Sequence, residues 1–113
     1  MNRLLEIRTY RLKPGTSHAF HQAMHQLAVP MIRAHGMDVV YYGPSDHEEE
    51  RYCLVRAYAD RESLETEQAA FYHSTEWREG PRPALVVHIE TYLNTLLRMT
   101  DDAVESLRTL NPS

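Results

Sequence analysis

With a single cysteine, Cys53, this chain of 113 residues has no internal disulfide to hold it together. A reducing cytoplasm is the expected setting. It has no surplus of positive charge either: 12 basic residues stand against 16 acidic ones, for a net charge of −4. No stripe of Lys and Arg forms along it, which argues against a nucleic-acid partner. No apolar run approaches the ~20 residues that a membrane-spanning helix needs. The opening "MNRLLEIRTY" lacks the hydrophobic stretch of a secretory signal, so neither membrane insertion nor export is expected. Glycine and proline are sparse, at 4 and 6, which argues against a fibrous or disordered chain. No Gly-rich phosphate loop and no Ser/His/Asp or Cys/His arrangement stands out, and no cofactor motif is present.

What remains is an ordinary globular composition, 42% hydrophobic and 25% charged, of a length that makes one domain. The first strand is expected over Leu4–Leu12, ended by Lys13-Pro14-Gly15. Thr16 or Ser17 then caps a helix reaching His35, with Phe20, Ala23, Met24, Leu27 and Met31 at three- and four-residue spacing. Pro30 should kink its last turn, and Gly36 stops it. Residues 37–43 and 51–59 read as an antiparallel pair of strands around a polar loop, 44–50, whose run Glu48-Glu49-Glu50 reads as solvated.

Asp60 caps a second helix that puts Leu64, Gln68, Phe71 and Tyr72 on one side. Ser74 can cap a short turn carrying Trp77, and Pro83 can open a further short helix through Ile89. Residues 91–99 form the fourth strand. The tail, 100–113, carries Val104, Leu107 and Leu110 at helical spacing and reads as a short helix laid on the domain, 1–99, or on a partner.

The order strand, helix, strand, strand, helix, strand is that of a ferredoxin-like α+β fold: a four-stranded antiparallel sheet with both helices on one face. A period of two divides the first strand into Leu5, Ile7 and Thr9 against Glu6, Arg8 and Tyr10. The third strand divides into Cys53, Val55 and Ala57 against Tyr52, Leu54, Arg56 and Tyr58. The apolar sets are expected beneath the helices, which makes Cys53 an inert core thiol. The polar set, Glu6, Arg8, Tyr10, Arg56 and Tyr58, is then left for a second copy of the chain to cover. Two such sheets close an eight-stranded barrel wide enough for side chains or one small ligand.

Three parts of the chain carry a family resemblance: E-x-R-x-Y-x-L-K-P-G from Glu6, L-x-R-x-Y from Leu54, and F-Y-x-S-x-x-W-R-x-G-P-R from Phe71 to Arg82. With them the chain resembles the NIPSNAP family of the dimeric α/β-barrel superfamily, over Leu4 to about Leu97. The resemblance implies the ferredoxin-like fold and a homodimer. The wider superfamily spans cofactor-free monooxygenases, polyketide cyclases, haem-degrading enzymes, muconolactone isomerase-like enzymes and ligand-binding proteins. It therefore leaves the chemistry open. His73 stands where the resemblance leads one to expect a small residue.

Two readings compete for the polar set. In one, Arg8 or Arg56 holds an anionic or carbonyl oxygen. Glu6 is then a base, and Tyr10 or Tyr58 donates to a developing oxyanion. In the other, Glu6 pairs with both arginines in a buried network that holds two sheets in register. Tyr42, His73 and Trp77 are secondary candidates. Trp77 reads first as core alongside Phe71 and Tyr72, and His73 as a helix C-cap or a proton shuttle. Arg78 and Arg82 flank Gly80-Pro81, where they can bind an anion or form salt bridges. His18, His21 and His25 form a helical stripe expected to be solvated. His21 and His25 stand at i, i+4 with no third ligand in view, so no metal site is expected. No histidine falls on the expected barrel face, which weakens a haem reading.

The sequence thus points to a homodimeric, small-molecule-binding barrel. Its chemistry would be that of a binder or of a cofactor-independent monooxygenase, cyclase or isomerase acting on a hydrophobic oxygenated metabolite. The alternative is a non-catalytic protein whose interior is filled by its own polar network.

Overall fold

A computed structural model describes residues 1–109. Leu110, expected on the apolar stripe of the tail, lies outside the described residues. Strands β1 (Asn2–Leu12), β2 (Asp38–Ser45), β3 (Arg51–Tyr58) and β4 (Ile89–Thr100) form one antiparallel sheet in the order β2-β3-β1-β4. The helices are α1 (Ser17–Ala23), α2 (Val29–Ala34), α3 (Arg61–Tyr72), α4 (Thr75–Glu79), α5 (Pro81–Val86) and α6 (Asp101–Arg108). The expected ferredoxin-like α+β architecture is therefore present. No helix among the described residues is long and apolar enough to cross a membrane.

Local chemistry explains most boundaries. Gly15 and Gly36 both have positive φ, 81° and 82°, in the turn after β1 and at the end of α2. Asp60 accepts from the Ser63 backbone N–H at 2.8 Å and starts α3. Ser74 accepts from that of Trp77 at 3.2 Å and starts α4. The start of α1 is capped differently from expectation. Thr16 spends its hydroxyl on the Lys13 carbonyl at 2.6 Å. The Glu50 carboxylate instead takes the backbone N–H of Ser17 at 2.9 Å and that of Gly15. Glu50 is thus a structural cap and not a solvated loop residue.

The expected disturbance at Pro30 appears one turn early. Residues Met24–Ala28 form a π-helical turn between α1 and α2, with the Val29 N–H reaching the Met24 carbonyl. Pro30 has no N–H for the Gln26 carbonyl, so the helix changes register before it, and proline then sits in the first turn of α2.

The largest departure from expectation is which face of the sheet the helices cover. Phe20, Met24, Ala28, Val29, Ile32, Phe71 and Leu85 pack on Tyr10, Leu12, Tyr52, Leu54 and Tyr58. That is the face carrying Glu6, Arg8 and Arg56. On the other face, Leu5, Val40, Val55 and Ala57 cluster with Val104 of α6, flanked by Ile7, Tyr41, Met99 and Leu107. The expected assignment is therefore inverted, and the reason is volume. Filling the layer between sheet and helices takes large side chains, and the aromatic rings of Tyr10, Tyr52 and Tyr58 stand on the mixed face. Phe20 is locked there by rings 5.2 Å away at Tyr10 and 5.0 Å away at Tyr52. Cys53, by the same inversion, lies half-buried on the outer face, 3.7 Å from the Thr9 hydroxyl.

Helix α6 folds back over part of that outer face. Thr100 caps it by accepting from the Ala103 N–H at 3.1 Å. Arg108 reaches Asp38 at 2.8 and 3.0 Å, and Arg3 adds a second ion pair to the same carboxylate. The edge strand β4 stays largely uncovered, with Leu93 66% and Leu97 45% exposed on the same face as Thr9 and Leu5.

Candidate functional site

Strand register assembles the centre of the inner face. Glu6 stands opposite Arg56 of β3, and Arg8 opposite Asn94 of β4. Tyr10 lies between Tyr52 and Tyr92. Helix α3 crosses above, and its Gln68 and Tyr72, one turn apart, come down onto this row. The polar residues predicted for a two-chain interface are therefore brought together inside one chain, between sheet and helix.

Glu6 and Arg56 are fully buried and Arg8 nearly so, at 9%. The Glu6 carboxylate accepts from Arg56 Nε at 2.9 Å, from Gln68 Nε2 at 2.9 Å and from Arg8 Nη2 at 3.3 Å. A second guanidinium nitrogen, Arg56 Nη2, lies 2.7 Å from the same carboxylate. Gln68 also donates to the Tyr58 hydroxyl at 3.1 Å. Arg8 donates through Nε to Asn94 Oδ1 at 2.9 Å, and its guanidinium lies over the Tyr92 ring, 4.7 Å from the centroid. The Tyr72 oxygen accepts from Arg56 Nη1 at 2.9 Å and from Arg8 Nη1 at 3.2 Å.

Electrostatically the cluster is lopsided: two guanidiniums face one carboxylate. Burial opposes the charged form of Arg56, but Tyr72 and Glu6 outweigh it and its proton is held more firmly than usual. Burial pushes the Tyr10 and Tyr58 hydroxyls up to about 12, so both are neutral O–H groups at neutral pH.

Beside this cluster lies a cavity of about 380 Å³, within the range of small-molecule sites. Its floor is Arg8, Tyr10, Tyr92 and Ile89; its sides are Phe20, Gln68, Tyr72 and Trp77; Arg82, Leu85 and Val86 of α5 complete it. Trp77 packs tilted against Phe71 and edge-on to Tyr72, with ring centroids 5.1 and 5.3 Å apart.

The predicted residues divide accordingly. Arg8, Tyr10 and Trp77 line the cavity, as does Arg82. Glu6 and Arg56 sit behind Arg8, and Tyr58 is core. Tyr42 lies in the core and meets His25. His73 is an exposed C-cap of α3 and does not line the cavity. Gln68, Tyr72, Tyr92 and Asn94 were not singled out as site residues. Gln68 was nevertheless legible: an amide on the apolar stripe of a helix needs a buried partner.

The histidine stripe is not simply solvated. His21 and His25 stack with centroids 5.9 Å apart, and each Nδ1 lies 2.6 Å from a buried phenol, Tyr52 and Tyr42 respectively. Burial, with His25 and His18 nearby, lowers the His21 pKa. Among the described residues no three His, Cys, Asp or Glu side chains gather as metal ligands.

A family model described as NIPSNAP matches residues 5–103. Among solved structures, the chain is similar to a NIPSNAP family protein of unknown function from Agrobacterium tumefaciens, at 21% identity and a TM-score of 0.80 over 87% of this chain and 88% of that one. An uncharacterized NIPSNAP domain protein from Burkholderia xenovorans follows at 18% identity and 0.77, over 87% and 95%. A protein assigned by name as an antibiotic biosynthesis monooxygenase, from Nitrosomonas europaea, is similar at 16% identity and 0.62, over 88% and 91%. These likenesses concern the fold. No curated protein matches the chain.

Proposed function

The chain belongs to the NIPSNAP family, and from that premise we propose that it is a small-molecule-binding protein whose pocket lies within each chain, between the sheet and the helices. The observation that carries this reading is the cavity of about 380 Å³ against a buried guanidinium, Arg8, with aromatic walls at Tyr10, Tyr72, Trp77 and Tyr92. Its occupant is a hydrophobic, oxygen-bearing metabolite: much of the lining is apolar or aromatic, and Arg8, Gln68 and Tyr72 supply polar groups at the sheet side. The fold shared with a protein named for antibiotic-biosynthesis monooxygenation supports cofactor-independent chemistry on such a molecule, with neutral Tyr10 as a hydrogen-bond donor. The competing reading, an interior filled by the protein's own charges, accounts for Glu6 and Arg56 but leaves the cavity beside Arg8 without a purpose.

The same reading includes a homodimer in the cytoplasm. Leu93 and Leu97, beside the half-buried Ile7 and Thr9, form a largely apolar strip that α6 leaves exposed, and a second sheet of the same kind covers it in a dimeric α/β barrel.

Trp77 is the protein's single tryptophan and lines the cavity, so its fluorescence responds to what enters this pocket. Titration with planar aromatic probes should quench or shift that emission and raise the melting temperature together. Probes that stabilise the protein without touching Trp77 emission would move the site elsewhere. No response from any probe would favour the self-filled interior.

A further inference from the structure

Resting on the pocket reading above, we infer that the ligand is an anion carrying one unit of negative charge on an oxygen, as in a carboxylate or enolate, and that the Tyr72 hydroxyl donates its proton's hydrogen bond to that oxygen beside Arg8.

Two independent observations carry this. The first is charge. Glu6, Arg8 and Arg56 form a buried cluster of one carboxylate and two guanidiniums, a net charge of +1. No Asp or Glu lines the adjoining cavity, whereas Arg82 adds a further positive charge to its wall. An uncompensated buried charge is costly; a bound monoanion cancels that of the cluster, and a neutral ligand leaves it as it stands.

The second is hydrogen-bond direction at Tyr72. Its oxygen accepts from Arg8 at 3.2 Å and from Arg56 at 2.9 Å. A phenol oxygen has two acceptor positions and one proton. With both positions filled by donors that can never accept, the Tyr72 O–H is left as a donor, and it meets no acceptor among the described residues. Tyr72 lines the cavity. Arg8 has five N–H groups and directs three of them to Asn94, Tyr72 and Glu6. Tyr10 takes a further hydrogen bond from Arg8, which leaves one N–H for an oxygen in the cavity. An oxyanion there completes both residues at once. A cation or an apolar group leaves the phenol proton and the spare guanidinium proton unpaired.

The test is calorimetric titration of the full chain at pH 7 with 2-naphthoate and with its neutral isostere 2-naphthamide, following Trp77 emission in parallel. The anion should bind at least tenfold more tightly. Tyr72→Phe keeps the ring against Phe71 and Trp77 and should cut 2-naphthoate affinity by about tenfold and 2-naphthamide affinity by less, because a neutral carbonyl oxygen accepts more weakly than a carboxylate. Arg82→Gln, an exposed side chain on the cavity wall, should narrow the gap between the two probes by a few-fold and serves if Tyr72→Phe fails to fold. Equal affinity for the two probes overturns the charge inference while the pocket stands. An anion preference untouched by both variants overturns the assignment to this site. If neither probe binds or perturbs Trp77, the pocket reading falls and the inference with it.

Discussion

The two faces of this sheet are built on opposite plans. The inner face, under α1 to α5, holds every fully buried charge among the described residues, yet helices cover it. The outer face is mostly apolar, yet among the described residues only α6 lies on it, and Leu93 and Leu97 are left open. Simple partitioning by hydrophobicity would arrange them the other way round. The contrast teaches that each face is incomplete in its own way. The inner one has hydrogen-bonded charge beside a cavity; the outer one has apolar area without a cover, worth roughly 25 cal/mol per Å² once buried.

The sharpest way to break the comparison is to cut the inner network. Glu6→Ala removes the carboxylate that both guanidiniums share and should cost about 3–5 kcal/mol in chemical denaturation. Thr9→Ala, three residues along on the outer face, should change stability by less than about 1 kcal/mol. Comparable losses would mean that the faces do not differ as described.

Next in size is the outer face itself. Leu93→Asp should weaken self-association by roughly a hundredfold, about 2.8 kcal/mol, measured by light scattering across a dilution series. Its fold should be intact by circular dichroism, because Leu93 is exposed within the chain. A wild-type protein that is monomeric at micromolar concentration would remove the proposed cover.

A smaller effect concerns how the inner face acquires its lid. Asp60→Ala removes the cap that starts α3, the helix bearing Gln68 and Tyr72, and should cost about 1 kcal/mol of stability. It should also raise hydrogen exchange in the first turn of α3. Unchanged exchange there would show that packing of Phe71, and not the cap, anchors the helix.

The smallest expected effect is pH-dependent. Burial alone would raise the Asp38 pKa, but hydrogen bonds and charge from Arg108 and Arg3 outweigh it and hold the carboxyl below its usual range. A depressed carboxylate adds stability above its unfolded pKa of about 4 and loses it as pH falls through the folded value. Docking of α6 should therefore loosen below about pH 4, with a contribution under about 1 kcal/mol because the pair is partly exposed. Hydrogen exchange in α6 should rise over that window, and Asp38→Asn should abolish the rise. If Asp38→Asn leaves the pH response intact, another group holds the tail, and the outer face is covered by different means.

Much of this was legible in the residues. Asp60, Ser74, Gly15 and Gly36 mark boundaries through chemistry that acts within four or five residues, and the structure uses them as expected. The network of Glu6 with Arg8 and Arg56 was legible as well, since charges of both signs on one strand face satisfy one another when buried. Other features depended on partners distant in sequence. Glu50 caps α1 from 33 residues away, and Tyr72, read as core, turns out to be where both guanidiniums meet.

Alternation by itself divided the strand residues into two sets: Glu6, Arg8, Tyr10, Arg56 and Tyr58 share one face, as their spacing requires. It did not decide which set the helices cover. Each set is part apolar: Leu4, Tyr10, Leu12 and Leu54 on one side, Leu5, Ile7, Val55 and Ala57 on the other. A period of two carries no sign. The decision fell to tertiary packing, where the larger volume of the tyrosines fills the helix layer and Gln68 and Tyr72 supply partners for the buried charges. The polar groups of "EIRTY" therefore face the chain's own helices, and its apolar ones face outward.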